Sequence, residues 1–401
     1  MKIGYFVKRF PYANSHSNVS EDYARWCLLD GGANVAYHLA MGIAKKKDHE
    51  INIFTVSSDS KDSVENYENI TIYRNGVNLI FRGSYISLKS FFKYPKCQID
   101  ILHAHAPSIL SDIPALLYAK RNNIPFILTC HGDPDTAPGD FISKMAISFY
   151  DRYYLDKVLS YANTIICPSE HYIGESRFLE KHRNKIVVIP NGISFEDFNI
   201  SYSKEKCREK LELSLNKNLI LFVGVLAHRK GPDILIKAMP RVISKFPNTQ
   251  LIFVGSGVMR KELEMLSNSL GVENYVKFAG FAGKDIKPLY YKAADVFCLP
   301  STMKTEVFPN VFLEASASGL PMVVSDLETF KCIIEDGYNG IVTKRGDENS
   351  LADAIIYLLK NEDIKNNMSS NAMKRVKDYS WERIADDTVK LYNNVLQQVK
   401  I

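Results

Sequence analysis

The feature that most limits how this chain can fold is a long succession of short apolar runs separated by helical patterns. "KIGYFV", "EINIFTV", "ITIYR", "DILHAH", "PFILTCHG", "TIICPS" and "KIVVIPNG" come first. "LILFVG", "QLIFVG", "VKFAG", "VFCLPS", "PMVVSD" and "GIVTK" follow. The runs are continuous rather than alternating, which suits strands covered on both faces. Strands of that kind lie in parallel sheets and are joined by crossover helices. "PDILIKAMPRVISKF" is such a helix: Leu235, Ala238, Met239, Val242 and Phe246 fall on one face, and Pro232 suits the first turn. The expected fold class is α/β, with two doubly wound parallel-sheet domains, and 401 residues suffice for both. The pattern pauses at 195–217, a Lys- and Glu-rich stretch read as an interdomain connection with one helix.

In doubly wound sheets, ligands bind beyond the carboxyl ends of the strands. Unusual residues gather at those points: His103 and His105, His131-Gly132, Asn191-Gly192, and Gly255-Ser256-Gly257. Two such domains facing each other are expected to enclose a cleft.

Composition excludes several classes. The net charge of +5 is small for this length and is not gathered in the first 195 residues. A dedicated nucleic-acid binder shows a clustered basic face, so no nucleic-acid partner is expected. No apolar run approaches the roughly 20 residues that span a bilayer. "MKIGYFVKRFPY" starts directly as a strand and lacks the apolar segment of a signal peptide, so the expected location is the cytoplasm. The seven cysteines lack CxxC spacing and several sit in strand-like runs, as buried thiols of a reducing compartment do. No structural zinc is expected.

The stretch "TEVFPNVFLEASASGLPMVVSD" carries the chemistry. Glu306 and Glu314 stand with seven residues between them. Pro309 disfavours a helical Phe308, Asn310 suits an N-cap, and a helix is expected from Val311 to Gly319. Amides at such a helix start can hold a phosphate. Glu314 could merely compensate the helix dipole, or could accept hydrogen bonds from two adjacent sugar hydroxyls. Glu306 lies before the turn, further along the same ligand. A diol, phosphates and further hydroxyls in that order describe a nucleotide sugar.

"EVFPNVFLEASASGLPMVVSD" resembles the E-x7-E signature of the retaining glycosyltransferases of family 4, also called group 1, which have the GT-B fold of two facing Rossmann-like domains. The resemblance covers nearly the whole chain. "DGGANVAYHLAMGIAKKKDHEINIFTV" is similar to the family's N-terminal glycine pair, helix and second strand. "DILHAHAP" and "PFILTCHGD" are similar to its acceptor-domain strand ends, and "VVIPNGISFEDF" to the exit into the linker. "LFVGVLAHRKGPDILIKA" resembles the diphosphate-binding Lys-Gly segment. "YSWERIADDTVKLYNNVL" resembles the final helix, which in the family crosses back onto the N-terminal domain. The resemblance implies an acceptor-binding domain of residues 1–197 plus the helix 380–401, and a donor-binding domain of residues 198–379.

The resemblance also implies roles. Glu314 would bind the nucleotide ribose. Glu306 would lie near the transferred sugar, with the backbone from Val307 through Phe308, Pro309 and Asn310 to Val311 around sugar and phosphate. Lys230 would contact the diphosphate, and His131 would sit beside the sugar and the reacting phosphate. Gly31 and Gly32 would let backbone approach the diphosphate. One departure stands out: the family often has an arginine where this chain has Val225, in Gly224-Val225-Leu226. Arg229 is the candidate replacement, although neighbours at a helix start do not usually point the same way.

Other signals are weaker. Asp133-Pro134-Asp135 matches a three-residue metal motif of another transferase fold, against the expectation that no metal is used. His103 and His105 either line the acceptor side or are structural. "GSGVMR" lacks the third glycine of a dinucleotide fingerprint, so no nicotinamide cofactor is expected. "SLKSFFKYPK" and Lys45 to Lys47 mix aromatic and basic residues, which is either a solvated face or a surface for peripheral membrane contact.

The expected activity is retaining, metal-independent transfer of a sugar from a nucleoside-diphosphate sugar to a glycan, lipid-linked or small-molecule acceptor. Charge builds on the departing diphosphate, and preorganised cations and amides meet it. A nucleotide-sugar epimerase on a similar fold and a non-catalytic nucleotide-sugar binder are the alternatives.

Overall fold

The computed structural model describes residues 1–12, 31–81, 84–95, 97–134, 141–304 and 306–399. The chain divides into two compact units, Met1–Gly192 with Trp381–Ile401, and Ile193–Ser380.

The strands of the first unit are β1 (Lys2–Phe6), β2 (Glu50–Val56), β3 (Ser63–Tyr67), β4 (Ile70–Asn75), β5 (Leu79–Phe81), β6 (Ser84–Ile86), β7 (Ile101–Ala106), β8 (Phe126–Cys130), β9 (Thr164–Cys167) and β10 (Ile186–Val188), and the apolar runs account for all but β3, β5 and β6. Eight of them form one sheet in the order β10-β9-β8-β7-β1-β2-β4-β3. Every pairing is parallel except β3 with β4. Every residue of β7 and β8 is buried, as the unbroken apolar runs require.

The sequence reading missed two features. The edge strand β3, "SVENY", is antiparallel and mostly exposed, so it carries no apolar run. The hairpin β5–β6 is also separate from the sheet, and its outer residues Leu79 and Ile80 face solvent. "SLKSFFKYPK" contains a 3-10 turn, Leu88–Phe91, with Leu88 and Phe92 exposed and Lys89 and Lys93 both paired to Asp62.

The second unit holds β11 (Asn218–Val223), β12 (Thr249–Val254), β13 (Val276–Gly280), β14 (Val296–Leu299), β15 (Met322–Ser325) and β16 (Gly340–Thr343). Their order is β13-β12-β11-β14-β15-β16, all parallel. This is the doubly wound order in which the direction of winding reverses at the first strand. The reversal falls between β11 and β14 here, and between β1 and β7 in the first unit.

Residues 195–217 contain two helical pieces, Phe195–Phe198 and Lys204–Lys210. The stretch is anchored in the second unit by the buried Arg208. Its guanidinium donates to the carbonyls of Ala293, Leu215 and Lys217 and to Asp295 Oδ2, at 2.8–3.1 Å. A residue that reads as solvated charge is thus an internal tie.

The last helix, Trp381–Val399, packs on the first unit. Ile384, Tyr392 and Val395 join the core of Ile3, Tyr5, Ile53, Ile101 and the helix Gly31–Ala44. The Trp381 ring stacks on His38 at 5.3 Å and crowds Gly192, where a Cβ would lie 2.6 Å from the ring. Among the described residues, no helix is long and apolar enough to cross a membrane.

Candidate active site

Both winding reversals carry the residues singled out from the sequence. In the second unit, the loop after β11 runs through Gly224, Val225 and Leu226 to a 3-10 turn, His228–Lys230. Gly231 follows with φ +64°, and Pro232 starts the next helix, Pro232–Lys245. A Cβ on Gly231 would lie 2.1 Å from the carbonyl oxygen of Pro300, at the end of β14. The two strand ends therefore touch through backbone, and only glycine fits. The amide of Thr302 donates to Arg229 O at 2.9 Å, a second tie between the loops.

Gly255 and Gly257 serve the same loop. The carbonyl of Gly224 lies 1.9 Å from where a Gly255 Cβ would be, and that of Leu226 lies 2.3 Å from where a Gly257 Cβ would be. They are the floor on which the β11 loop rests.

That framework gathers three charges. Glu306 is buried and ion-paired with both Arg229 and Lys230; Lys230 Nζ lies 2.6 Å from Glu306 Oε2, and Arg229 Nη1 pairs with Oε1. Adjacent side chains were expected to diverge. They converge because the tight 3-10 turn aims both at one carboxylate. Arg229 is partly exposed while Lys230 is buried. Val225 is exposed and is no part of this cluster.

The helix after Glu306 departs from expectation by one residue. It spans Asn310–Ala317, so Asn310 is its first residue and Pro309, with ψ of 103°, occupies the capping position. Proline has no polar side chain, so the capping residue itself offers the helix no side-chain hydrogen bond. Val307, Phe308 and Pro309 are buried, and Val311 is half-buried. Ser318 ends the helix and Gly319, at φ +65°, follows.

Glu314 consequently sits one turn in rather than in the first turn, too deep to compensate the helix start. It is buried, and its carboxylate accepts from Lys287 Nζ at 2.6 Å and from Tyr291 Oη at 2.8 Å. Burial and the Glu314 charge push the Tyr291 hydroxyl well above its ordinary range. Lys287 and Tyr291 were missed in the sequence. Their signal was the four-residue spacing in "KPLYY", which places both on one face of the helix Lys287–Ala293.

In the first unit, a pocket of about 180 Å³ opens where β1 and β7 part. Val7 and Lys8 after β1, Gly32 and Ala33 of the first helix, His105 and Ala106 at the end of β7 with Pro107 and Ser108 beyond it, and His131 after β8 line it. Gly31 and Gly32 are the opening residues of the helix Gly31–Ala44; Gly31 is exposed and Gly32 faces the pocket. The His131 amide donates to Ala106 O at 2.8 Å, extending the β7–β8 pairing by one step and fixing the ring at the strand end. His131 Nε2 lies 2.8 Å from His105 Nδ1, with the rings stacked. His103 is fully buried, bonded to Tyr392 Oη at 2.6 Å and to Thr129 Oγ1 at 2.7 Å. Burial pushes its pKa down to about 3. His103 is thus structural, and His105 is a neighbour of the pocket histidine.

Asp133 is spoken for. Its carboxylate accepts from Ser176 Oγ and from the amide of Arg177 at 2.9 Å. Asp135 lies outside the described residues. Cys130, Cys167, Cys207 and Cys298 are buried thiols.

Two family models match the chain: "Glycosyltransferase Family 4" over residues 29–197 and "Glycosyl transferases group 1" over residues 203–375. An uncharacterized glycosyltransferase of Methanocaldococcus jannaschii is 29% identical over 90% of this chain and 93% of its own. The alpha-monoglucosyldiacylglycerol synthase of Acholeplasma laidlawii is 26% identical over 92% of this chain and 95% of its own. Among solved structures, sucrose-phosphate synthase from Thermosynechococcus elongatus superposes with a TM-score of 0.76 over 99% of both chains at 22% identity. The fold, the two matched halves and the named relatives agree, which sets aside the epimerase and binding-protein alternatives: the chain belongs to the group 1, family 4 glycosyltransferases and has the GT-B fold.

Proposed function

We propose that the protein is a retaining, metal-independent glycosyltransferase that moves a sugar from a nucleoside-diphosphate sugar to a glycan, lipid-linked or small-molecule acceptor. The observation that carries this reading is the convergence of Arg229 and Lys230 on Glu306, which closely precedes the helix Asn310–Ala317, at the winding reversal of the second unit. A diphosphate leaving group needs cations and amides fixed before charge develops on it. Two protein cations supply what a divalent ion supplies elsewhere, so no metal is called for. Glu314, oriented by Lys287 and Tyr291, keeps lone pairs for a ribose diol. In the first unit, His131 and the backbone at Gly31-Gly32 would serve the transferred sugar and diphosphate oxygens. Retention is supported by the E-x7-E pattern of Glu306 and Glu314.

The test is binding and turnover together. A panel of nucleotide sugars is screened by thermal shift, and the nucleoside diphosphate of the stabilising donor is titrated into wild type and Glu314→Ala. Hydrogen bonds to a charged group contribute roughly 1.5–3 kcal/mol each, so affinity should fall about tenfold or more. Unchanged affinity in a folded variant would reduce Glu314 to a structural partner of Lys287 and Tyr291. Turnover should survive chelator; activity lost with EDTA and restored by magnesium or manganese would overturn the metal-independent part.

A further inference from the structure

The pocket of the first unit holds a second histidine that none of the foregoing uses. His105 is the last-but-one residue of β7, only 7% exposed, and stacks between His103 (4.7 Å) and His131 (5.1 Å). Its Nδ1 lies 2.8 Å from His131 Nε2, while its own Nε2 is buried with no hydrogen-bond partner among the described residues. Burial, with the flanking imidazoles, holds His105 far below the usual histidine range, so it carries a single ring proton.

That proton has two places to go. If it sits on Nε2, a buried N–H is left without an acceptor, and the shared contact must then be made by His131 donating from Nε2. If it sits on Nδ1, it is donated to His131 Nε2, and only a lone pair is left unmet at His105 Nε2. Buried N–H groups without acceptors are the rarer and costlier defect. The second arrangement therefore prevails, and it leaves His131 with its own proton on Nδ1. It also opposes an imidazolium at His131, because that cation would donate through Nε2 and drive the His105 proton to the unmet nitrogen.

We propose that His105 is a positioning residue: it donates its Nδ1–H to His131 Nε2 and thereby fixes His131 as a neutral donor through Nδ1. A donor in that position suits an electron-rich oxygen, either a hydroxyl of the transferred sugar or an oxygen of the departing diphosphate. It does not suit proton abstraction from an acceptor hydroxyl. This assignment of ligand rests on the glycosyl-transfer reading; the tautomer itself does not. A hydrogen bond to one ring nitrogen that fixes the tautomer sets what the other nitrogen offers a ligand.

The test uses the full-length protein labelled with 15N-histidine. Long-range 15N–1H correlation spectra report which nitrogen of each ring is protonated, and His131→Asn and His105→Asn assign the two sets of signals. The expected result at neutral pH is protonation at Nδ1 on both rings. A proton on His131 Nε2, or a charged His131, would overturn the proposal. No substrate is needed, so this measurement stands apart from the fate of the Glu314 titration. The kinetic arm compares His105→Leu, which removes the donor, with His105→Asn, whose amide can donate from nearly the Nδ1 position. His105→Leu should lower kcat by about tenfold, the equivalent of one modest hydrogen bond, with nucleoside diphosphate Kd within a few-fold. His105→Asn should recover most of that loss. Equal loss in both variants would leave His105 a packing residue and sink the idea, and if His105→Leu fails to fold, the spectra alone decide.

Discussion

At the residue scale, the second unit presents an ion cluster whose members compete. Glu306 pairs with both Arg229 and Lys230, the two cations proposed to receive a diphosphate, and offsets one of their two charges. A diphosphate and the Glu306 carboxylate are both anions seeking the same donors, so binding the first loosens the second. Glu306→Gln removes the competing charge but keeps the shape. The nucleoside diphosphate should then bind roughly fivefold more tightly by isothermal titration, about 1 kcal/mol, while kcat falls. Weaker binding would show that Glu306 itself holds the ligand. The variant should also melt at a lower temperature, because removing one partner of a buried pair strands the other charges. The sequence supplied all three residues of this cluster. It could not supply their convergence, which depends on the turn that aims Arg229 and Lys230 at one point.

At the element scale, the loop between β11 and the helix Pro232–Lys245 is set by glycine. Gly231 has φ +64° and faces the Pro300 carbonyl. Alanine there meets the left-handed penalty of about 1–2 kcal/mol and a backbone clash that only loop movement relieves. Gly231→Ala should cost about 3 kcal/mol in urea unfolding and abolish measurable nucleoside diphosphate binding, since Arg229 and Lys230 move with the turn. Wild-type affinity in this variant would show that the turn does not position the cations. The helix Asn310–Ala317 teaches the converse lesson. Asparagine before an apolar run signals an N-cap, yet Pro309 takes that position and Asn310 enters the helix. Proline's fixed φ is compatible with either boundary, and here the extended ψ of 103° at Pro309 starts the helix at the next residue, Asn310.

At the scale of the whole molecule, the chain builds two doubly wound units and then returns to the first with its last helix. That return is sealed by Tyr392, whose hydroxyl lies 2.6 Å from both Tyr5 Oη and His103 Nδ1 in the buried core. Tyr392→Phe leaves two buried polar groups unmet, at roughly 1–3 kcal/mol each. Urea unfolding of the first unit should show a loss of about 2–4 kcal/mol; a loss under 0.5 kcal/mol would mean the helix is held by apolar packing alone. The continuous apolar runs determined the parallel strands, because a strand with no polar face has nowhere to lie except inside a covered sheet. The glycines and acidic pair marked the strand ends at which the proposed site lies, since those residue types answer local demands of backbone and charge. Strand β3 and the tie made by Arg208 were not legible, because their residues look solvated until a neighbour covers them. Nor were the partners of Glu314, Glu306 and His131, which lie 23 or more residues away in the chain. Side-chain chemistry is written residue by residue, but which nitrogen meets which carboxylate depends on distances that only the folded sheets impose.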